Sequence, residues 1–304
     1  MVKKVLLLYG GFSAERDVSI SSEKDIAEAL RSKGYKVIEH DLTEVWSFLD
    51  VLMTERPDVV FNGLYGNWGE DGEIQGFLDM LGVPYTHSGM KASVLGMDKA
   101  LTKQMAAQNG VKIADGFKLN AREYELWKQS AAAFYPHVVK PVADGSSVGV
   151  HIVHDAAEAQ KISYDNAKAE LLVEKYIAGR ELTAMCLEGK AYVVTELKAQ
   201  NEFYDYEAKY TAGKTQHILP AEIPAEVADQ CCRYAETMHK ALGCRTVSRC
   251  DFRYNPDDGV VFLEINTNPG MTALSLVPEQ AKFAGISFAE LCDKLVKNAA
   301  CRQK

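Results

Sequence analysis

The stretch Thr246-Val247-Ser248-Arg249-Cys250-Asp251-Phe252-Arg253-Tyr254-Asn255-Pro256-Asp257-Asp258-Gly259-Val260-Val261-Phe262-Leu263-Glu264-Ile265-Asn266-Thr267-Asn268 reads as two strands joined by a tight loop. Alternation puts Val247, Arg249 and Asp251 on one face of the first strand, and Phe262, Glu264 and Asn266 on one face of the second. With Pro256 to Gly259 as a four-residue loop and Gly259 at positive φ, Asn255 pairs with Val260, Asp251 falls opposite Glu264, and Arg249 opposite Asn266. Val261, Leu263 and Ile265 then form the apolar underside. Two carboxylates and an amide oxygen on one face repel unless cations neutralise them, and hard oxygen donors beside phosphate suit Mg²⁺. The alternative is an edge hairpin with solvated charges.

Outward from this hairpin, the N-terminal part has a different texture. Val5-Leu6-Leu7-Leu8-Tyr9 is a continuous apolar run ended by Gly10-Gly11, the mark of a parallel strand buried on both faces. A helix over Ser19 to Lys33 stops at Gly34, strands follow at Tyr35 to Ile38 and Asp58 to Phe61, and a helix runs from Glu73 to Leu81. Residues 1 to about 90 thus read as βαβαβα, a small doubly wound α/β sheet. Beyond a helix from Asp98 to Asn109-Gly110 come shorter strands at His137 to Val142, Val150 to Val153 and Leu171 to Tyr176, the pattern of an α+β lobe. Two strands continue through Leu197, an irregular aromatic and charged stretch spans Ala199 to Pro220, and a helix follows at Glu226 to Leu242.

Bulk properties narrow the function. The chain of 304 residues exceeds what one core usually supports. Its formal charge of −8, from 34 basic and 42 acidic residues, argues against nucleic acid or anionic lipid as a partner and for small molecules. Five apolar residues after Lys4 are too few for a secretory core, and no segment approaches membrane-spanning length. The seven cysteines lack a C-x-x-C pair and read as reduced thiols of a cytoplasmic protein.

A second constellation is Lys140-Pro141-Val142-Ala143-Asp144-Gly145-Ser146-Ser147-Val148-Gly149. Such a loop can close over phosphates with its N–H groups and hydroxyls, or serve as a plain hairpin loop. It lacks the Gly-Lys-Ser/Thr ending of a Walker A motif. Lys99 and Lys140 could each place a point charge on a phosphate.

The order Lys99, Lys140, the Ser-Ser-Val-Gly loop, Glu174-Lys175-Tyr176-Ile177, Glu181, Arg249-x-Asp251 and Glu264-x-Asn266 resembles the ATP-grasp enzymes. Four further motifs narrow the likeness: Gly10 to Ser19, Gly69-Glu70-Asp71-Gly72, Phe203 to Tyr210 and Asn266 to Thr272 resemble the D-alanine:D-alanine ligases over essentially the whole chain. The resemblance implies an N-terminal doubly wound pre-ATP-grasp domain (residues 1–95) and a two-lobed α+β ATP-grasp fold (96–182 and 183–304). It implies ligation of two D-alanines at the expense of ATP through a D-alanyl phosphate, for cell-wall precursor synthesis; another carboxylate-amine ligase, such as one making D-alanyl-D-lactate, is the alternative.

Carried over by motif, Asp251, Glu264 and Asn266 would hold two Mg²⁺ ions, which Mn²⁺ could replace. Arg249 and the Gly270 N–H would stabilise the tetrahedral intermediate, and Glu15 would pair with the ammonium of the first D-alanine, linked to Ser146 and Tyr210. Ser275 and Leu276 would receive the carboxylate of the second. Lys99, Lys140, Ser147 and Lys209 would meet phosphates, while Glu174, Lys175 and Ile177 line the adenine pocket and Glu181 takes the ribose hydroxyls. Phe203 to Tyr210 would be a lid, and Tyr210 favours the dipeptide over the depsipeptide product. The resemblance also implies a homodimer. It departs at Tyr65, where histidine is common in the family.

Overall fold

The computed structural model describes residues 3–143, 149–199, 215–272 and 275–302. Its first sheet is parallel, with β1 (Lys4–Gly10) between β2 (Lys36–Leu42) and β3 (Val59–Asn62). Val5 and Leu7 face one side, where α1 (Arg16–Ser32) lays down Ile26, Ala27 and Leu30. Leu6 and Leu8 face the other, against Phe48 and Leu52 of α2 (Val45–Glu55) and Ile74 and Leu78 of α3 (Glu73–Leu81). This two-sided burial is why the run is continuously apolar, and the doubly wound reading holds.

After α4 (Met90–Met97), α5 (Lys99–Gln108) starts at Asp98, whose carboxylate caps the Leu101 N–H. An antiparallel sheet follows in the order β4 (Gly116–Asn120), β7 (Glu170–Lys175), β5 (His137–Pro141), β6 (His151–Val153). The short helices α6 (Ala121–Trp127) and α7 (Ala156–Ala159) cover it through Tyr124 and Ala159. A third sheet, also antiparallel, runs β10 (Thr215–Ile218), β9 (Lys190–Ala199), β8 (Arg180–Leu187), β11 (Val247–Asn255), β12 (Gly259–Asn266). Helix α8 (Ala225–Leu242) packs Cys231, Ala235 and Met238 onto it. The Ala199 to Pro220 stretch, read as irregular, contains β10, paired with the end of β9.

Two further helices, α9 (Leu276–Phe283) and α10 (Phe288–Lys297), end the chain. Leu291, Cys292, Leu295 and Val296 of α10 join the cluster of Val5, Leu7 and Ile26, together with Met185, Leu187 and Val247 of the third sheet. The last helix therefore fastens the first sheet to the third.

The hairpin register differs from the expected one at its loop end. Asp251 does oppose Glu264 and Arg249 opposes Asn266, but Asn255 pairs with Gly259, not Val260. A bulge reconciles the two: between Asp251 and Phe252 strand β11 advances one residue while β12 advances from Glu264 to Phe262. Leu263 is the extra residue, and it reverses the alternation. Phe262 consequently lies in the core with Ile265, Cys250 and Phe252 rather than beside Glu264, and Val261 packs on the opposite side with Ala114 and Ile177.

Candidate active site

Strand pairing builds the acidic part of the site. Asp251 is 8% exposed; its Oδ1 accepts from Thr183 Oγ1 (2.6 Å), its cross-strand neighbour on β8, and from Arg249 Nε (3.0 Å), while Oδ2 accepts from Arg249 Nη2 (2.8 Å). Glu264, across the strand, has Oε2 3.9 Å from Lys99 Nζ. Asn266 Oδ1 accepts from the Asn268 N–H (2.9 Å), which fixes the rotation of its amide. The hard donors expected on this face thus stand together, with a guanidinium and an ammonium as counter-charges.

Three lysines are buried nearby. Lys140 and Lys103 both reach Glu174, Lys140 at 2.7 Å, and Lys99 sits at the start of α5 on the same helix face as Lys103. Ammonium groups are rarely buried unless paired or awaiting an anion. Burial pushes Lys103 below the usual lysine range, with Glu174 opposing that fall. Burial alone would raise Glu174, but the two ammonium groups outweigh it and hold the carboxyl below the usual range.

Glu181 lies at the base of β8, where Arg253 Nη1 reaches its Oε2 at 3.3 Å. Arg253 also donates to the Ile177 carbonyl (3.2 Å) and the Tyr176 hydroxyl (3.3 Å), joining the ends of β7 and β8. The ammonium of Lys175 turns outward, 3.6 Å from Asp258 in the hairpin loop.

The substrate side is assembled from loops. Glu15, 7% exposed, precedes α1, and a Cβ on Gly66 (φ +67°) would stand 2.6 Å from its Oε2. Gly270 lies against Ser275, whose Oγ accepts from the Thr272 N–H at 3.0 Å. Leu276 packs on Leu197. The loop carrying Gly270 is itself held by the loop after β3: Asn268 Nδ2 donates to the Leu64 carbonyl (2.7 Å), and the Met271 N–H to the Tyr65 hydroxyl (2.9 Å). Ser146, Ser147, Lys209 and Tyr210, and the lid expected at Phe203 to Tyr210, lie outside the described residues.

Lys103, Thr183, Arg253 and Glu70 were not singled out from sequence. Lys103 follows Lys99 by one helical turn, Arg253 continues the Arg249 and Asp251 alternation, and Glu70 belongs to a quoted motif. Thr183 has no sequence signal, because only the β8–β11 register brings it to Asp251. Burial raises the Glu70 carboxyl well above its usual range; Glu15 and Glu264 add to this, while a Gly66 hydrogen bond and Arg249 oppose it.

The chain matches a family model described as D-ala D-ala ligase C-terminus over residues 106–297, and one described as D-ala D-ala ligase N-terminus over residues 48–88. The chain belongs to the D-alanine:D-alanine ligase family. A D-alanine–D-alanine ligase of Ruegeria sp. (strain TM1040) is 45% identical over 303 residues, covering 99% of this chain and 97% of that protein. The D-alanine–D-alanine ligase of Bacillus anthracis, solved complexed with ATP, superposes with a TM-score of 0.82 at 31% identity, over 98% of this chain and 97% of that one. The VanG D-Ala:D-Ser ligase of Enterococcus faecalis gives 0.81 at 28% identity, over 98% and 99%. This chain is therefore similar in fold to solved enzymes whose names differ in the second amino acid. The D-alanine:D-alanine ligase family membership also carries the expected ATP-grasp architecture. Among the described residues no helix is long and apolar enough to cross a membrane.

The donor set suits Mg²⁺. Among the described residues no three His, Cys, Asp or Glu side chains make a metal cage. Two carboxylates and one amide oxygen, which leave further positions to phosphate oxygens and water, match the few protein ligands that Mg²⁺ usually takes.

Proposed function

We infer that this chain joins two D-alanine molecules into D-alanyl-D-alanine, converting ATP to ADP and phosphate and supplying a cell-wall precursor. The observation carrying this reading is the acidic hairpin face of Asp251, Glu264 and Asn266 set against Arg249 and Lys99, beside the Lys103 and Lys140 pair.

In the first step a carboxylate oxygen of one D-alanine attacks the γ-phosphorus of ATP, ADP leaves, and a D-alanyl phosphate forms. Lys99 and Lys140 meet the phosphates, joined by Ser147 and Lys209; Glu181 takes the ribose hydroxyls, and Glu174, Lys175 and Ile177 line the adenine pocket. Two Mg²⁺ ions held by Asp251, Glu264 and Asn266, replaceable by Mn²⁺, would offset charge on the transferring phosphoryl group. Glu15, with Ser146 and Tyr210, holds the ammonium of this first D-alanine.

In the second step the amine of another D-alanine, its carboxylate received at Ser275 and Leu276, attacks the acyl carbon. The tetrahedral oxyanion is met by Arg249 and the Gly270 N–H, each donor worth about 3 kcal/mol in comparable acyl transfers. Collapse expels phosphate, and the amine proton is lost to give the peptide bond. The Phe203 to Tyr210 segment acts as the lid that keeps water from the acyl phosphate.

The work is divided among units 1–95, 96–182 and 183–304. The enzyme acts in the cytoplasm as a homodimer, and light scattering of the purified chain tests the latter.

ADP release should be measured with ATP and D-alanine, L-alanine, D-alanine plus D-lactate or D-serine, or no acceptor. Stimulation by D-alanine alone is expected, and its absence would sink the reading. The Glu264→Gln variant is expected to fold normally and lose turnover; near-normal activity would refute the metal assignment.

A further inference from the structure

The Gly270 loop is fastened only in part by its own strand. Between Asn268 and Thr272 the backbone leaves β12, and its amides find acceptors elsewhere: Asn268 N–H on Asn266 Oδ1 (2.9 Å), Met271 N–H on Tyr65 (2.9 Å) and Thr272 N–H on Ser275 Oγ (3.0 Å). Two of these acceptors flank the loop, at the end of β12 and at the cap of α9. Tyr65 does not: it belongs to the loop after β3.

Its phenol is 3% exposed and engaged at both ends. The hydroxyl accepts from Met271 and donates to Ser22 Oγ (3.3 Å), which donates to the Ser19 carbonyl in α1 (2.9 Å). Ser19 Oγ in turn donates to the Gly63 carbonyl (2.6 Å) and accepts from the Gly10 N–H (2.8 Å). The Tyr65 carbonyl accepts from Ser13 Oγ (2.6 Å), which also accepts from the Glu15 N–H (3.1 Å). One residue thus contacts the Glu15 loop through its backbone and the Gly270 loop through its side chain.

We propose that Tyr65 is a positioning residue for the acyl-transfer step: its hydroxyl anchors the peptide unit that follows Gly270, and so holds the Gly270 Cα, and with it the adjoining Gly270 N–H, in place toward the oxyanion. The proposal rests on the role given above to Gly270. The geometry supports it because the Met271 N–H and the Gly270 carbonyl share one planar unit, so tethering the N–H restrains that unit, which adjoins through the Gly270 Cα the unit carrying the Gly270 N–H. Glycine at position 270 lacks a side chain to restrain that torsion, and a Cβ there would meet Ser275 Oγ at 2.9 Å. Burial pushes the phenol up to about 12, so the hydroxyl stays protonated and both accepts and donates. Tyr65 positions rather than reacts.

The test compares the unaltered enzyme with Tyr65→Phe and Ser22→Ala. Tyr65→Phe keeps the ring and removes both the acceptor of Met271 and the donor to Ser22, whereas Ser22→Ala leaves the Met271 acceptor in place. Its kcat is expected to fall roughly five- to thirty-fold, with KM for ATP and for the first D-alanine unchanged. Affinity for a phosphinate dipeptide mimicking the tetrahedral intermediate, measured with ATP present, should fall by the same factor. Ser22→Ala should lose less, in the same direction. An unchanged kcat, or a lower melting temperature without weaker phosphinate binding, overturns the proposal, as does a larger loss in Ser22→Ala than in Tyr65→Phe. Absence of D-alanine-dependent turnover in the unaltered chain would overturn both this and the functional reading; normal turnover with an indifferent Tyr65→Phe overturns this one alone.

Discussion

Arg249 grips Asp251 through two hydrogen bonds, 3.0 and 2.8 Å long, although the two residues are neighbours on the same face of one strand. The fork of the guanidinium matches the carboxylate and fixes both groups on this strand face. A lysine could supply the charge but not the fork. Arg249→Lys is expected to lower kcat by about 10²- to 10³-fold with little change in melting temperature. Steady-state kinetics alongside thermal unfolding checks this, and a kcat within a few-fold of the parent would remove Arg249 from the oxyanion site.

Glu174 carries two ammonium groups at once, those of Lys103 and Lys140. Glu174→Gln strands both in a buried place, a loss on the order of 3 to 5 kcal/mol for a broken buried pair. Nucleotide phosphates can then replace the missing carboxylate. ATP is therefore expected to raise the melting temperature of Glu174→Gln by more than it raises that of the parent. Equal shifts would mean that these lysines do not face the phosphates.

Gly66 occupies a left-handed backbone conformation, and an added Cβ would press on the Glu15 carboxylate. Gly66→Ala carries a backbone cost of about 1 to 2 kcal/mol and displaces Glu15. The expected result is a KM for D-alanine raised about tenfold, equivalent to 1.4 kcal/mol, and an unchanged KM for ATP. Parallel changes in both constants would argue that the ammonium of the first D-alanine binds elsewhere.

His87 is 2% exposed, with Nδ1 beside Thr86 Oγ1 (3.1 Å) and its ring edge-on to Phe61. Burial, aided by Arg245, pushes its pKa down to about 3. The unfolded chain binds the proton near pH 6.5 while the folded one does not, so the unfolded state gains protons first. Stability from this residue is complete above about pH 6.5 and falls as pH drops toward 3, by up to about 1.4 kcal/mol per pH unit. Urea unfolding at pH 7, 6, 5 and 4 should show a shallower acid decline in His87→Asn, which suits the positive φ of 64° there. Parallel curves for the two proteins would refute the assignment.

Much of this architecture is written locally. Val5 to Leu8 alternate between two clusters, so a continuous apolar run was sufficient to indicate a strand covered on both faces. Asp98 and Gly110 bracket α5 in sequence as they do in space. The pairing of Asp251 with Glu264 followed from counting out of the loop, yet the count was one residue off at Asn255, and only a bulge at Leu263 brought the two descriptions together. Nothing in an alternating sequence marks which residue a strand will leave unpaired, because the bulge is chosen by packing Phe262 with Phe252 (ring centroids 6.0 Å apart) and Ile265 in one core.

The sequence by itself determined the motifs that place the chain in its family, the parallel first sheet, and the donors Asp251, Glu264 and Asn266 on one hairpin, since each depends on periodicity and spacing within a few residues. Tertiary structure alone decided the partners that arrive from far along the chain. Thr183 comes to Asp251 through strand register, Lys103 and Lys140 converge on Glu174 from different elements, and Tyr65 reaches Met271 across 206 positions. Those contacts satisfy buried charges and amides, a demand that arises only once burial has removed water, and so no local pattern encodes them.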